Sequence, residues 1–255
     1  MIFWLDQHDR YDTNGASQLW GKTVDLKIHN RERSAALVGT TDLRRAHSGS
    51  GTPVGGRAKR SMDVLFAATA LFCFWPLMAL LALLIKVSDG GPIFYSHMRV
   101  GRNRVLFPCL KFRTMAVNGA EILSQHLAED PVALEEWQET QKLKDDPRIT
   151  VVGRVLRKTS LDELPQLLNI LRGDMSIVGP RPVITDEIKK YGSDAKFYLM
   201  ARPGLTGPWQ VSGRNDVSYE SRVAFDRHYV ENWSLLTDVS IIARTVPAVL
   251  MARGY

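Results

Sequence analysis

One apolar run constrains the fold of this chain more than any other feature. Residues 64–85, VLFAATALFCFWPLMALLALLI, contain no charged side chain over 22 positions. A straight helix of that length, at about 1.5 Å per residue, is about 33 Å long and matches the hydrocarbon thickness of a bilayer. The run therefore predicts a helix that spans the membrane, a helix that enters the membrane and returns, or the buried helix of a soluble core.

A proline and the flanking charges distinguish among these three arrangements. Pro76 lies near the middle of the run, where it removes a backbone donor and favours a kink. Because an excess of Lys and Arg marks the cytoplasmic side of a membrane helix, basic residues on both flanks favour a re-entrant helix that turns at the FWP sequence. These residues are Arg57, Lys59 and Arg60 before the run, and Lys86, Arg99, Arg102 and Arg104 after it. A spanning helix remains the main alternative.

The sequence divides into three segments. Residues 1–56 form a polar extension that ends in HSGSGTPVGG, a composition typical of a flexible linker. Residues 57–90 contain the membrane-embedded re-entrant helix, and residues 91–255 form a small cytoplasmic domain. Short apolar stretches broken by Gly, Pro and Asn over 90–115 predict a short β-hairpin with turns near 101–104. We therefore expect an α+β fold that is mainly helical.

Further helices are predicted across the domain. Their ranges are 117–144 with an interruption at Asp130-Pro131, 161–171, 183–200, 217–231 and 236–252. Residues 202–215, RPGLTGPWQVSGRN, are predicted to form a loop with little regular structure. The last helix contains Pro247, which implies a bend or break. It either closes the core, which is favoured, or lies on a membrane surface.

Composition narrows the class of partner. A net charge of +6 over 255 residues indicates anionic partners such as phosphates, acidic lipid or nucleic acid. Cys73 and Cys109 show no spacing typical of a disulfide or a zinc site, so a reducing, cytosolic setting is expected. The six histidines are scattered and are interpreted as incidental. No Gly-rich phosphate loop of the Walker or dinucleotide type and no G-x-S-x-G motif is present.

Asp162 and Glu163, in TSLDELPQLLNIL, are adjacent carboxylates with two competing interpretations. Ser160 and Glu163 fit an S-x-x-E capping box, whereas Asp162 as the N-cap would place Pro165 third in the helix, where no backbone donor is needed. In both cases the helix N-terminus would lower the pKa of the carboxyls and keep them ionised. An ionised aspartate can attack phosphorus, and a glutamate can hold a divalent cation. Spacing alone leaves catalysis and capping both open.

Basic residues recur beside Gly and Pro in the domain. Guanidinium groups bind phosphate oxygens through paired N–H donors, and rigid turns can position them. This group predicts phosphate binding, with a solvated basic face as the alternative for each member. The members are Lys111, Arg113, Arg148, Arg154, Arg157, Lys158, Arg181, Arg202 and Arg214.

Several long motifs follow the apolar run in a fixed order. They are GGPIFYSHMRVG, LKFRTM, DPRITVVGRVLRKTSLDELPQLLNILRGDMSIVGPRP, RPGLTGPWQVSGR and YVENWSLLTDVSII. In this order the chain closely resembles the bacterial sugar transferase family, the monotopic polyprenyl-phosphate sugar-1-phosphate transferases, over residues 57–252. It lacks a large multi-helix region before the run, so we expect one of the short, exopolysaccharide-initiating members.

The resemblance implies a reaction and assigns roles to residues. A sugar-1-phosphate passes from a UDP-sugar to undecaprenyl phosphate with magnesium, and UMP is released. Asp162 corresponds to a nucleophile that forms a phospho-sugar aspartyl intermediate, and Glu163 to a residue that helps hold magnesium. Arg157 and Arg181 correspond to phosphate-binding arginines. The entry of the membrane helix matches at Lys59, Arg60 and Asp63, and its breaking point matches at Pro76.

The expected site combines these roles with the basic group. Asp162 and Glu163 are the predicted catalytic residues of the cytoplasmic domain, and Glu163 is also the metal ligand. The predicted phosphate-binding residues are Lys111, Arg113, Arg157, Arg181, Arg202 and Arg214. A tethered scaffold that binds the same ligands without chemistry is the alternative function. Nucleic acid is not an expected partner, because no motif supports it.

The resemblance also implies a location and a donor. We expect the protein at the cytoplasmic face of the inner membrane, in contact with the inner leaflet. UDP-galactose is favoured as the donor, with UDP-glucose or a UDP-N-acetyl-hexosamine as the alternative. A homodimer and the role of residues 1–56 are left open by the sequence.

Overall fold

The computed structural model describes residues 52–212 and 218–250, without the side chains of 248–250. The α-helices are α1 Gly56–Asp89, α2 Gly119–Glu129, α3 Pro131–Thr140, α4 Val151–Thr159, α5 Gln166–Arg172, α6 Thr185–Ile188, α7 Ala195–Met200, α8 Tyr219–Glu231 and α9 Leu235–Leu250. The strands are β1 Phe94–Val100, β2 Leu106–Phe112, β3 Ser176–Val178 and β4 Gly204–Thr206. A mainly helical α+β fold is confirmed. Most of the predicted extension, residues 1–51, lies outside the described residues.

The predicted β-hairpin is confirmed. β1 and β2 pair antiparallel, and a short 3₁₀ turn joins them. Asn103 has a φ of 55° in that turn, in the left-handed region that Asn tolerates better than most residues. The register sets Tyr95 opposite Lys111 and His97 opposite Cys109, so these four side chains lie on one face of the hairpin.

α1 extends the apolar run at both ends and has 34 residues. Gly90 ends the helix at a φ of 71°, a left-handed conformation that costs glycine little, and its N–H donates to the Lys86 carbonyl oxygen at 3.0 Å. Among residues 52–212 and 218–250, α1 is the one helix that is long and apolar enough to cross a membrane, by length and composition.

The predicted turn of the chain at Pro76 is not confirmed, because α1 continues through this residue. A proline removes one N–H donor and crowds the carbonyl one turn earlier, a local cost that packing on both sides can offset. Ala67 and Leu81, on either side of Pro76, are both buried against the domain. A re-entrant path for this helix therefore stays a prediction.

One stripe of α1 contacts the rest of the protein. Its buried residues recur at the four-residue spacing that keeps side chains on one face of a helix. They are Lys59, Asp63 and Ala67 in the first half, and Leu81 and Ile85 in the second. The other faces expose large apolar side chains, which are Val64, Leu65, Phe66, Phe72, Phe74, Trp75, Leu80, Leu83, Leu84 and Val87. An apolar surface of this extent marks a site of membrane or protein contact.

Two hydrophobic clusters receive the two halves of α1. Ala67 belongs to the cluster that contains Ile170 of α5. Leu81 belongs to a second cluster, together with Phe112 of β2 and Leu156 of α4. Both halves of the helix are therefore fixed to the same domain.

A buried ion pair fixes the first half of α1 to α9. Lys59 Nζ lies 2.6 Å from Asp238 Oδ2, and both side chains are nearly inaccessible to solvent. Tyr229 OH donates to Asp238 Oδ1 at 2.7 Å, and Trp233 Nε1 donates to Asp238 Oδ2 at 3.0 Å. Three donors therefore satisfy the Asp238 carboxylate, and this makes its burial tolerable.

Asp63 and Arg60 also contact protein groups. Asp63 Oδ1 accepts hydrogen bonds from Ser176 Oγ at 2.9 Å and from Ile177 N at 3.0 Å, at the start of β3. Arg60 donates to two carbonyl oxygens at the C-terminal end of α5. Lys59, Arg60 and Asp63, which were expected at the entry of the helix into the membrane, therefore attach α1 to the domain. Each forms an ion pair or a hydrogen bond with a group of the domain.

Several predicted element boundaries need correction. The predicted helix over 183–200 is divided into α6 and α7, because Gly192 adopts a φ of 52° between them. The predicted loop over 202–215 contains β4, which pairs in parallel with β3. α9 continues through Pro247 without a break. The interruption predicted at Asp130 is confirmed, since its side chain accepts from the first N–H groups of α3.

Removing the charge of Lys59 tests the ion pair that holds α1. In Lys59→Met the Asp238 carboxylate stays buried without its ionic partner, so we expect the free energy of unfolding to fall by about 3–5 kcal/mol. Arg57→Met is the control, because Arg57 is exposed in the same turn. Chemical denaturation of the full chain in detergent measures both variants. Equal stability of the two would contradict a structural role for the pair.

Candidate active site

The connection between α4 and α5 carries the predicted carboxylate pair. Asp162 and Glu163 lie in a short 3₁₀ turn. Ser160, at a φ of 56°, ends α4 and precedes this turn. The predicted helix over 161–171 is confirmed in its second part, whereas its first turn, residues 161–163, is a 3₁₀ turn and not α-helix. α5 begins only after Pro165, which needs no backbone donor at a helix start.

The S-x-x-E capping box is not formed. The Ser160 side chain makes no capping hydrogen bond, and Glu163 Oε1 accepts from Lys111 Nζ at 2.7 Å. The Glu163 carboxylate therefore turns away from the backbone of its own turn and toward β2. No side chain caps the start of α5, so Asp162 is not its N-cap. Of the two interpretations that spacing left open, capping is wrong.

Lys111 bridges the two carboxylates. Its Nζ lies 2.7 Å from Glu163 Oε1 and 3.4 Å from Asp162 Oδ2. Alternation along β2 directs Lys111 toward this turn, while its neighbour Phe112 enters the cluster between α1 and α4. The ammonium group thus offsets part of the repulsion between two adjacent negative charges.

Opposing effects set the ionisation of Asp162. Burial raises the pKa of Asp162 above its ordinary value and Glu163 raises it further, whereas Lys111 and Arg157 lower it. The expectation that a helix N-terminus would lower this pKa is wrong, because desolvation of the charged form outweighs the attraction to nearby cations. Burial alone would lower the pKa of Lys111, but the two carboxylates reverse this effect and raise it.

Arg157 supplies a second cation beside Asp162. It projects from the last turn of α4, where its Nε donates to Thr114 Oγ1 at 2.9 Å. α4 packs so closely against Thr114 that a Cβ at Gly153 would be 2.0 Å from the Thr114 carbonyl oxygen. Only glycine permits this packing, which holds Arg157 in place. Burial lowers the pKa of Arg157, and the charge of Asp162 opposes that effect.

Arg181 acts electrostatically on Cys109 of β2. Burial raises the pKa of the Cys109 thiol to about 11, and the charges of Lys111, Glu163 and Arg181 all act on it. The thiol is therefore protonated near neutral pH and is a poor nucleophile. Arg181 itself is exposed, and its guanidinium carbon lies 5.6 Å from the centre of the Trp209 ring.

The other predicted phosphate-binding arginines have different surroundings. Arg113 is buried and forms an ion pair with Asp89 at the end of α1. Arg202 Nε donates to the Gly173 carbonyl oxygen at 2.8 Å, at the opposite end of α5 from the carboxylate pair. The structure shows neither arginine in contact with that pair. Arg214 lies outside the described residues.

Sequence reasoning missed the residues of β1 that share the face of Lys111. His97, interpreted as incidental, lies on this face between Tyr95 and Arg99. Burial lowers the pKa of His97, Arg99 and Lys111 lower it further, and Glu187 opposes them. The imidazole is therefore neutral near neutral pH and can both donate and accept a hydrogen bond. Strand alternation could have identified His97: Tyr95 is paired with Lys111 across the hairpin, and His97, two residues after Tyr95, lies on the same face.

Asp162 and Glu163 form an acidic pair, not a larger metal cluster. Within the part of the chain that the structure describes, no three or more His, Cys, Asp or Glu side chains converge. Magnesium commonly takes only one or two carboxylates and completes its shell with water and substrate phosphates. Lys111 contacts one oxygen of each carboxylate and leaves the other oxygen of each for a cation. The residues present therefore fit magnesium bound together with a phosphate ligand.

Comparison with known proteins identifies the family to which this arrangement belongs. The bacterial sugar transferase family matches residues 54–252, a range that contains the carboxylate pair, the hairpin and all of α1. The chain belongs to this family. The resemblance stated from the motifs is thereby confirmed.

Three relatives of this sugar transferase illustrate the match. The exopolysaccharide production protein ExoY of Sinorhizobium fredii is 61% identical over 207 residues, which cover 81% of this chain and 92% of that protein. The undecaprenyl-phosphate galactose phosphotransferase of Salmonella typhimurium is 55% identical over 253 residues, 99% of this chain but 52% of that protein. The UDP-glucose:undecaprenyl-phosphate glucose-1-phosphate transferase of Caulobacter vibrioides is 42% identical over 200 residues, 75% of this chain and 69% of that protein.

Substitution of Lys111 tests its effect on Asp162. Lys111→Met removes a cation that favours the ionised carboxyl, so we expect the pKa of Asp162 to rise further above its already raised value. On acidification, the ionised fraction of Asp162 would then fall at a higher pH. Carbon-13 NMR titration of labelled aspartate, assigned with Asp162→Asn, measures this midpoint.

Lys111→Arg is the control for this titration, because it keeps the positive charge. Its midpoint is expected to stay near that of the unsubstituted protein. An unchanged midpoint in Lys111→Met would show that the bridge does not control the ionisation of Asp162.

Proposed function

We propose that this sugar transferase moves a sugar-1-phosphate from a UDP-sugar to undecaprenyl phosphate and releases UMP, as the first membrane step of exopolysaccharide synthesis. The observation that carries the proposal is an ionisable aspartate, Asp162, held in a turn beside the cations of Lys111 and Arg157. The names of the Salmonella and Caulobacter relatives describe transfer of this kind to undecaprenyl phosphate. The name of the Sinorhizobium relative places that protein in exopolysaccharide production.

The first half-reaction uses Asp162 as the nucleophile. A carboxylate oxygen of Asp162 attacks the phosphorus that carries the sugar, and the bond from this phosphorus to the bridging oxygen of the diphosphate breaks. UMP leaves with that oxygen, and the sugar-1-phosphate is held on Asp162 as an acyl phosphate. Lys111 and Arg157 stabilise the negative charge on the phosphate oxygens during the transfer.

The second half-reaction returns Asp162 to its starting state. An oxygen of the lipid phosphate attacks the same phosphorus, and the bond to the aspartate oxygen breaks. The product is a sugar linked to undecaprenyl diphosphate. No proton acceptor is needed, because both attacking groups are already anionic. Ping-pong kinetics follow, since UMP leaves before the lipid phosphate reacts.

Magnesium is the proposed cofactor. When bound, it would neutralise part of the charge on the substrate diphosphate. Glu163 would hold it, with Asp162 adjacent, because the capping box is absent and the Glu163 carboxylate faces the site. Lys111 keeps this carboxylate in its orientation through the contact at 2.7 Å.

Galactose-1-phosphate is the proposed transferred group. The Salmonella relative, whose name specifies galactose, is 55% identical over 99% of this chain. The Caulobacter relative, whose name specifies glucose, is 42% identical over 75% of it. The greater similarity to the first supports galactose, and UDP-glucose or a UDP-N-acetyl-hexosamine is the alternative donor.

The proposed location is the cytoplasmic face of the inner membrane, and exposed apolar faces support contact with a membrane. Besides α1, helix α4 exposes 83% of Val151 and 57% of Val155, with Arg154 and Lys158 exposed on the same face. Apolar residues bordered by cations are typical of a helix that lies in the interface of an anionic bilayer. α4 leads directly into the turn that holds the carboxylate pair. Lipid contact at this face would bring the pair to the depth of a lipid phosphate.

Asp162→Asn tests the covalent step. The amide keeps the shape of the side chain but is a poor nucleophile, so we expect UMP release to fall by a factor on the order of 10³ or more with the fold retained. UMP release is measured with undecaprenyl phosphate, magnesium and a panel of UDP-sugars. A scaffold that only binds these ligands would be indifferent to this substitution. Full activity in the folded variant would therefore exclude the proposed mechanism.

The sidedness of α1 tests the re-entrant path. Single cysteines at positions 57 and 87, in a Cys73→Ala background, report the two ends of the helix. Both are expected to resist an impermeant maleimide added outside spheroplasts and to react after permeabilisation. Reaction of either position from the outside would contradict re-entry and favour a spanning helix.

A further inference from the structure

One buried amide joins the helix that follows the carboxylate pair to the strand that carries Lys111. Asn169 lies in the middle of α5 and is completely buried. Its Oδ1 accepts a hydrogen bond from Leu110 N at 3.0 Å, and its Nδ2 donates to the Pro108 carbonyl oxygen at 2.8 Å. Both of these backbone groups belong to β2. We call the two hydrogen bonds the amide clamp.

The amide clamp lies on the edge of β2 that faces away from β1. On the other edge β1 pairs with β2, so that Met98 is opposite Pro108 and Ser96 is opposite Leu110. In an antiparallel strand, the carbonyl of one residue and the N–H of the residue two positions later point to the same side. The Asn169 side chain bonds to both of these groups. It therefore pairs with β2 as a neighbouring strand would.

A third hydrogen bond fixes the orientation of the amide. Asn169 Nδ2 also donates to Asp174 Oδ2 at 3.1 Å, at the turn that follows α5. Because a carbonyl oxygen only accepts and a backbone N–H only donates, the two ends of the amide cannot be exchanged. Leaving any of these groups unpaired in the protein interior would be unfavourable, so the clamp holds one alignment of α5 and β2.

The amide clamp connects the two segments that form the charged centre. Leu110 immediately precedes Lys111, whose Nζ contacts Asp162 and Glu163. On the other side of the clamp, α5 follows the turn that holds these two carboxylates. A strand rises about 3.3 Å per residue, so a slip of β2 by one residue would move Lys111 by more than the length of its contact with Glu163. The Lys111 bridge therefore depends on the alignment that the clamp holds.

Apolar contacts between β2 and α5 do not fix this alignment by themselves. Phe107 and Cys109 of β2 pack in the same hydrophobic cluster as Leu167 and Ile170 of α5. Hydrophobic contacts are non-directional, so they stabilise the packing of the two elements without selecting one position along the strand. The hydrogen bonds of Asn169 require a specific distance and angle at each backbone group. They therefore determine where β2 lies along α5.

We propose that Asn169 is a positioning residue of the active site, which holds the Lys111 ammonium group at the carboxylate pair by fixing β2 against α5. It acts through the backbone of β2 and is not itself a catalytic residue. The inference rests on the proposed function for the role of Lys111 in phosphate transfer. The contact of Lys111 with Asp162 and Glu163 is a feature of the structure alone.

The nitrogen-15 NMR signal of the Lys111 ammonium group tests the amide clamp without reference to activity. The full chain, labelled at lysine, is measured in lipid nanodiscs at one fixed pH, and the signal is assigned with Lys111→Met. Asn169→Leu keeps nearly the same side-chain size but removes both hydrogen bonds to β2. The Lys111 signal is therefore expected to move to the position of solvent-exposed lysines, or to be lost through exchange with water.

Ile170→Ala is the matched control for this measurement. Ile170 is also completely buried in α5, and its loss weakens the same hydrophobic cluster without removing a hydrogen bond to β2. Its Lys111 signal is expected to stay in place. An unchanged signal in Asn169→Leu, or the same change in both variants, would overturn the proposal.

Folding is checked by the unfolding midpoint of each variant. If Asn169→Leu fails to fold, Asn169→Gln takes its place, because the longer side chain keeps an amide but displaces it from β2, and the same change in the Lys111 signal is expected. The unsubstituted protein gives a further measurement. Its Leu110 amide hydrogen is expected to exchange slowly with solvent, since it donates to a buried oxygen. Fast exchange of this hydrogen would show that the clamp is not held in solution and would overturn the proposal.

Kinetics then test whether Asn169 acts through Lys111. Asn169→Leu is expected to lower kcat for UMP release by about tenfold. In a Lys111→Met background the same substitution is expected to cause no further loss, because the group that Asn169 positions is absent. An equal loss in both backgrounds would contradict the assignment. Full UMP release by a folded Asp162→Asn variant would instead overturn the proposed function, and the NMR result would still decide on the clamp.

Discussion

The ammonium group of Lys111 joins the two parts of this protein that the proposed chemistry requires. It projects from the hairpin and contacts both carboxylates of a turn more than fifty positions later in the chain. Without a cation between them, two adjacent carboxylates, one of them buried, would resist ionisation. With it, the hairpin and the turn share one charged centre, to which Arg157 adds positive potential. The rest of the fold serves to bring these elements together.

The same principle attaches the apolar helix. Lys59 reaches Asp238 from 179 positions away, and Asp63 receives hydrogen bonds from the start of β3. These polar contacts occupy a single stripe of α1 and leave its other faces apolar. A helix that docked only through hydrophobic contacts would use the same kind of surface for protein and for lipid. Buried charge gives the two surfaces different chemistry and so specifies which side faces the domain.

Features with a local cause were predictable from the sequence, and features that depend on distant contacts were not. The hairpin, the interruption at Asp130 and the apolar run follow from turn chemistry, capping and composition. The 3₁₀ turn before α5 and the break at Ser160 were not predicted, since serine seldom adopts the left-handed conformation that it has here. The pKa of Asp162 was predicted in the wrong direction because burial, a tertiary property, outweighs the field of the helix. His97 was overlooked because only the strand register relates it to Lys111.

The attachment of α1 at both halves has a consequence for how a lipid carrier meets the enzyme. The helix packs on the domain through the clusters at Ala67 and Leu81, so a swing of the domain about a hinge would break contacts along both halves of the helix. In the proposed reaction the Asp162 carboxylate would then stay at one depth relative to the bilayer surface. The lipid carrier would reach this carboxylate by lateral diffusion in the bilayer. Attachment of both halves of α1 to the domain thus reduces the encounter between enzyme and lipid carrier from diffusion in three dimensions to diffusion in the plane of the bilayer.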